Sequence, residues 1–114
     1  MGHSYGGVVT ALLASEYHER APLAVELIAA PLAGIGSLNE RCHYSGPHFP
    51  TDSAVVVRQW RTQQALDSAF KDLKADPQRY EIPRAQVITL GDSYRGNRLG
   101  HNWSISAVVD QMEH

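Results

Sequence analysis

The chain begins Met1-Gly2-His3-Ser4-Tyr5-Gly6-Gly7, and residues 2 to 6 spell G-x-S-x-G. A serine flanked in this way can stand on a sharp strand-to-helix turn, its hydroxyl clear of the sheet. Such a turn is crowded, so small residues are expected two positions to either side. Gly2 and Gly6 hold those positions. Val8, Val9, Leu12 and Leu13 follow at helical spacing, with Ala11 and Ala14 favouring helix. The N-terminal N–H groups of that helix would point to where negative charge develops in acyl transfer, and the Tyr5 N–H would be one oxyanion donor. The competing reading is a flexible turn capping a helix, since serine is also a favoured N-cap.

A serine is a poor nucleophile without a base, and the base needs an orienting acid. Of six histidines, His101 has the best position, in Leu99-Gly100-His101-Asn102-Trp103-Ser104-Ile105, past the last predicted strand and just before the last helix. His3 adjoins the serine and is expected to face away from it. His18 ends a helix, His43 and His48 lie in a long loop, and His114 is terminal. The spacing of Cys42, His43 and His48 matches no zinc pattern. For the acid, Asp67 is the first carboxylate after the second of three predicted strands. Its rival role is that of a solvated residue on a helix starting near Thr62. Asp92, in Gly91-Asp92-Ser93, is the alternative acid, close to His101 but on another loop. Asp52 precedes its strand and is a poorer choice.

These residues need a scaffold that brings distant segments to one place. Ala24 to Ala30 is a short apolar run after Pro22 and reads as a buried strand. Residues 34–53 are rich in Gly, Pro, Ser, Asn and His and read as one long loop that would lie over a site. Ala54 to Trp60 is β-branched and aromatic, hence a strand. Ala65, Leu66, Ala69, Phe70 and Leu73 repeat at helical spacing until Pro77. Gln86 to Leu90 is a third strand, and 91–100 is a polar loop. There Arg95 and Arg98 read first as solvated surface, with contact to an acidic substrate group as the lesser reading. Ile105, Val108, Val109 and Met112 form the stripe of a closing helix. Strands alternating with helices predict a parallel α/β sheet.

Composition sets the outer bounds. The 114 residues predict one domain, with 43% hydrophobic and 19% charged residues, an ordinary globular balance. Net charge is -2 and the ten Lys and Arg are scattered, which argues against a nucleic-acid footprint. Cys42 is the one cysteine, so no internal disulfide is possible. No apolar run approaches the ~18 residues of a membrane-spanning helix. No signal peptide is visible either, which assigns the cytoplasm only by default.

The motif at one end with His101 at the other resembles the C-terminal half of an α/β-hydrolase of the lipase and esterase type. Ala29-Ala30-Pro31-Leu32-Ala33-Gly34 is similar to the A-S-P-x-x-G stretch of lipase-like members, with alanine at the serine position. Gly100-His101-Asn102-Trp103-Ser104-Ile105 is similar to that family's approach to its final helix. The resemblance covers nearly the whole chain, and the elbow is its specific part. It implies a partial α/β-hydrolase fold over residues 1–114, with three or so parallel strands and the N-terminal half of the sheet missing. It implies Ser4 as nucleophile, His101 as general base and then acid, and Asp67 as orienting acid, with no cofactor or metal. The family's second oxyanion donor precedes the elbow and has no counterpart here, and losing one donor typically costs ~10²–10³ in rate.

Two classes of function follow as expectations. One is a serine ester hydrolase acting on a small-molecule or lipid acyl ester, weak or inactive as a fragment; an amide or thioester substrate is a variant of it. The other is a non-catalytic remnant whose open sheet edge pairs with a further chain, including another copy of itself.

Overall fold

In the computed structural model, which describes residues 1–113, the three predicted strands lie side by side and a fourth joins them at the N-terminal end. The strands are β1 (Gly2–His3), β2 (Leu23–Ile28), β3 (Val55–Arg61) and β4 (Gln86–Thr89). They run parallel in the order β1-β2-β3-β4. Gly2 stands opposite Leu27, Leu23 opposite Val55, and Arg58 opposite Gln86. The helices are α1 (Tyr5–Ser15), α2 (Gly36–Cys42) and α3 (Trp103–Glu113). A four-stranded parallel sheet with flanking helices is a partial α/β fold.

Side-chain alternation along the strands sends successive residues to opposite faces. On one face Val25, Leu27, Val55 and Val57 pack with Val8, Ala11 and Ala14 of α1, together with Leu38 and Phe49. On the other, Ile28 and Trp60 pack with Ala107 and Val108 of α3 and with Phe70, Leu90 and Leu99. Burial on both faces is what a parallel sheet requires, and β2 and β3 are apolar enough to supply it. Two polar side chains are buried within these strands, Gln59 in β3 and the carboxylate of Glu26 in β2. The Arg58 guanidinium and the Trp60 indole N–H, the latter at 2.6 Å, hold Glu26, so the charge is both paired and hydrogen-bonded.

Several local expectations change. The loop 34–53 contains α2, anchored by the single buried apolar residue Leu38. The helix expected over 65–73 is instead one 3-10 turn, Gln64–Leu66, followed by irregular turns. Within 91–100 two short strands, β5 (Ser93–Tyr94) and β6 (Asn97–Arg98), form an antiparallel hairpin. Arg95 and Gly96 make its turn, both at positive φ, as a two-residue hairpin turn demands. In α3 the inward face is Ser104, Ala107 and Val108, while Ile105 and Met112 are exposed. In α1 likewise Val9, Leu12 and Leu13 are exposed.

The site is positioned by the carboxyl ends of the strands. Ser4 follows β1, Asp67 follows β3, and His101 follows β4 and the hairpin. A parallel sheet delivers all such loops to one edge, where ligands of open α/β sheets bind.

Candidate active site

Ser4 lies between β1 and α1 with φ 56° and ψ -127°. A serine pays steric strain in this region, of the order of 1–3 kcal/mol, and holds it only when its surroundings force it. They do so here. The Ser4 N–H donates to the Ile28 carbonyl at 2.9 Å, which extends the parallel ladder, and the Ser4 carbonyl accepts from the Gly7 N–H at 2.9 Å. The Ser4 side chain caps nothing at the start of α1. The N-cap reading therefore fails, and the strand–turn–helix context of the motif is present.

The glycines act differently from expectation. A Cβ at Gly2 would fall 2.3 Å from Thr10 Oγ1 and 2.5 Å from the Gly6 carbonyl oxygen, so Gly2 is sterically required. A Cβ at Gly6 would meet nothing within 4 Å. The second required position is Gly7, where a Cβ would fall 2.6 Å from the Ala30 Cβ. Gly7 and Ala30 together let α1 approach the end of β2.

Asp67 and His101 meet. His101 Nδ1 lies 3.0 Å from Asp67 Oδ2. A carboxylate oxygen there accepts, so Nδ1 carries a proton, and Nε2 is the nitrogen at which the ring can take up or release one. Asp67 is fully buried. Its Oδ2 also accepts from Thr62 Oγ1 at 2.5 Å, and its Oδ1 from the N–H groups of Ala69 at 2.9 Å and Phe70 at 3.2 Å. Burial alone would push this carboxyl up, but the bonds from His101, Thr62 and Ala69 outweigh it and hold the group below its ordinary value. Thr62 is fixed in turn by Gln78, whose side-chain oxygen accepts from the Thr62 N–H at 2.9 Å.

Asp67 also explains the lost helix. Its backbone is extended, at φ -89° and ψ 113°, and its carboxylate binds the next N–H groups that a helix would have used. Gly100 makes the meeting possible, because a Cβ there would fall 2.4 Å from the Leu66 carbonyl oxygen. Phe70 stands edge-on to the His101 ring, with centroids 5.0 Å apart.

Among the described residues no hydrogen bond or ion pair joins Asp92 to His101. Asp92 is exposed and accepts from Gln63 Nε2 at 2.6 Å. Asp52 accepts from the Ala54 N–H at 3.0 Å, beyond the other end of the strands. Arg95 pairs with Asp110 at 3.3 Å, and Arg98 is exposed. His18, His43, His48 and Cys42 are exposed, and His114 lies outside the described residues. Among the described residues no group of three His, Cys, Asp or Glu could hold a metal ion.

One participant was missed by sequence reasoning. His3 does not turn away from the site: its Nε2 lies 2.9 Å from the His101 carbonyl oxygen, and the two rings are 4.6 Å apart. Period-2 alternation from Ser4 gives no clue to this, because the strained turn breaks the strand pattern. Tyr5 is exposed, and its hydroxyl shares a 2.6 Å hydrogen bond with Ser37 Oγ, joining α1 to α2. Its backbone N–H opens α1 and has no intrahelical partner.

The arrangement thus holds an imidazole with a buried carboxylate behind it, and a strained serine on the same sheet edge. Among the described residues no hydrogen bond joins Ser4 Oγ to His101. Such contacts are often long before substrate is present. Compared with protein-family models, with curated proteins and with solved structures, the chain matches none.

Proposed function

We propose that this chain carries serine-hydrolase chemistry of the α/β-hydrolase type, directed at acyl esters of carboxylic acids. The observation that carries the reading is the buried Asp67–His101 pair at 3.0 Å, set on the same sheet edge as a serine in a strained strand-to-helix turn. The carboxylate is buried and bonded on both oxygens, and one of its partners is an imidazole whose other nitrogen carries no hydrogen bond among the described residues.

In this reading His101 Nε2 takes the Ser4 hydroxyl proton as Oγ bonds to the acyl carbon. The ester carbonyl becomes an oxyanion that the Tyr5 N–H stabilises at the start of α1. The tetrahedral species collapses, the C–O bond to the alcohol breaks, and His101 returns the proton to the departing oxygen. Water then repeats both steps and frees the acid. Asp67 stays ionised and holds the imidazolium. An apolar groove of about 140 Å³ between α1 and α2, lined by residues including Tyr5, Val9, Leu12 and Leu38, supports an apolar acyl group.

The test is labelling of the purified chain by a fluorophosphonate, with Ser4→Ala and His101→Ala as controls. Labelling that both substitutions abolish is the expected result. Absence of labelling in a chain shown to be folded would sink the catalytic reading.

A second reading is an interaction module, and one observation favours it. Among the described residues β1 pairs with β2 alone and stands at the sheet edge, and Val9, Leu12 and Leu13 are exposed on the adjoining α1. An unpaired edge beside apolar side chains recruits a strand from another chain. Sedimentation at increasing concentration tests self-association, and a monomer throughout would count against it. Among the described residues no helix is long and apolar enough to cross a membrane.

A further inference from the structure

His3 is placed where the serine-hydrolase scheme assigns no residue. It ends β1 and directly precedes Ser4, while His101 lies 98 positions away in sequence. The contact between them has two parts. A carbonyl oxygen only accepts, so His3 Nε2 carries a proton and donates it to the His101 main chain at 2.9 Å. The His3 ring also leans on the His101 ring, at 4.6 Å and tilted by 49°. Together they join the strand that carries the serine directly to the loop that carries the base.

Among the described residues the other hydrogen bond and ring contact of the His101 side chain both come from the Asp67 side: the carboxylate of Asp67 and the edge of Phe70. Neither touches β1. Without His3, the distance between Ser4 and the free Nε2 of His101 would rest on loops alone. We infer that His3 is a positioning residue, which fixes His101 against the elbow by its N–H bond to the His101 carbonyl and by ring contact. This rests on the serine-hydrolase reading for its functional meaning, but the clamp itself is a property of the fold.

The charge state of His3 belongs to the same device. The titratable groups facing it are His101 and, behind that ring, Asp67. Burial lowers the His3 ring below its ordinary value, against the opposing pull of its bond to His101, so it rests neutral. Neutral is the form the chemistry needs. Each turnover makes His101 an imidazolium, and a second cation 4.6 Å away would oppose it.

Three substitutions separate the parts. His3→Phe keeps a ring without the donor. His3→Gln keeps a donor without the aromatic ring. His3→Ala removes both. Two readouts are taken on each folded variant: the fluorophosphonate labelling rate, and the low-field proton resonance of His101 Nδ1–H against Asp67. The second needs no catalysis. His3→Phe and His3→Ala are expected to slow labelling by about 10- to 100-fold, the scale of a small misplacement of a catalytic group, and to broaden the Nδ1–H resonance. His3→Gln is expected to recover most of the rate and to sharpen the resonance again. The inference is overturned if His3→Phe and wild type share the same rate and resonance, or if the Gln variant fares no better than Phe at equal thermal stability. Should wild type not label at all, the resonance still decides the clamp: its loss in His3→Phe upholds the positioning role while the hydrolase reading falls.

Discussion

Gly100 lies so close to Leu66 that a methyl group on its Cα would fall 2.4 Å from the Leu66 carbonyl oxygen. Real Cβ atoms do not approach backbone oxygen this closely, so Gly100→Ala must separate the two loops. Those loops carry His101 and Asp67 as the next residues. The 3.0 Å bond between them is then the contact that yields. The expected outcome is a loss of about 1–3 kcal/mol in stability, as for overpacking a filled site. Fluorophosphonate labelling should fall with it by about 100-fold. Denaturant unfolding and labelling kinetics on one sample check both.

Asp67→Asn tests the acid. An amide keeps the shape but offers an N–H where the carboxylate accepted. It can satisfy Thr62 or the Ala69 and Phe70 N–H groups, yet it no longer fixes the proton on His101 Nδ1. The imidazole is free to adopt the wrong tautomer, and under the proposed mechanism a loss of ~10⁴ in turnover is expected, the scale of this change in a Ser-His-Asp protease. The pH dependence of stability should change too. The folded carboxyl sits below its ordinary value of 3.8, so its stabilising contribution is present above that pH. It is lost as pH falls through the lower, folded value. Acid unfolding followed by circular dichroism should show a shallower slope below about pH 4 in the Asn variant. An unchanged slope would mean that Asp67 is not the group being titrated.

Ser4 makes the opposite prediction for stability and chemistry. At φ 56° and ψ -127° it occupies a region that glycine enters without steric penalty. Ser4→Gly should therefore raise stability, by about 1 kcal/mol after the entropy that glycine adds to the unfolded chain. Ser4→Ala keeps the strain and should leave stability near wild type. Both should abolish labelling. A stabilising substitution at the proposed nucleophile would be the sign of strain retained for function. Equal or lower stability in Ser4→Gly would mean that the turn is not strained in solution.

Much of this layout was legible in the sequence. Ser4, Asp67 and His101 occur in the order that successive strands of a parallel sheet deliver, and the apolar runs behind β2, β3 and β4 locate those strands to within a residue or two. What escaped reading has specific causes. α2 is held by Leu38 alone, so no periodicity announces it. The apolar spacing of 65–73 does suggest a helix, but only Phe70 of that set is buried, and the carboxylate of Asp67 takes the N–H groups the helix needed. His3 was misplaced because its direction depends on the positive φ of Ser4, and no pattern of residue types reports a backbone angle. Gly7 was passed over because the motif draws attention to Gly6, whereas contact is decided by Ala30 far along the chain.

The two adjacent glycines give the sharpest stability test. Gly6 is exposed in the first turn of α1, and an added Cβ would meet nothing within 4 Å. Alanine is the better helix former by roughly 0.8–1.0 kcal/mol, so Gly6→Ala should raise the thermal midpoint by several degrees. Gly7 is buried, and its added Cβ would fall 2.6 Å from the Ala30 Cβ, which hangs directly on the backbone and cannot swing aside. Gly7→Ala should lower stability by about 1–3 kcal/mol despite the same gain in helix propensity. The clash is pairwise, so Ala30→Gly in the same chain should restore a large part of the loss, and a double-mutant cycle should return a coupling of more than about 0.5 kcal/mol. Additive effects would mean that α1 and the end of β2 do not pack through Gly7 and Ala30, and the support for the turn at Ser4 would have to come from elsewhere.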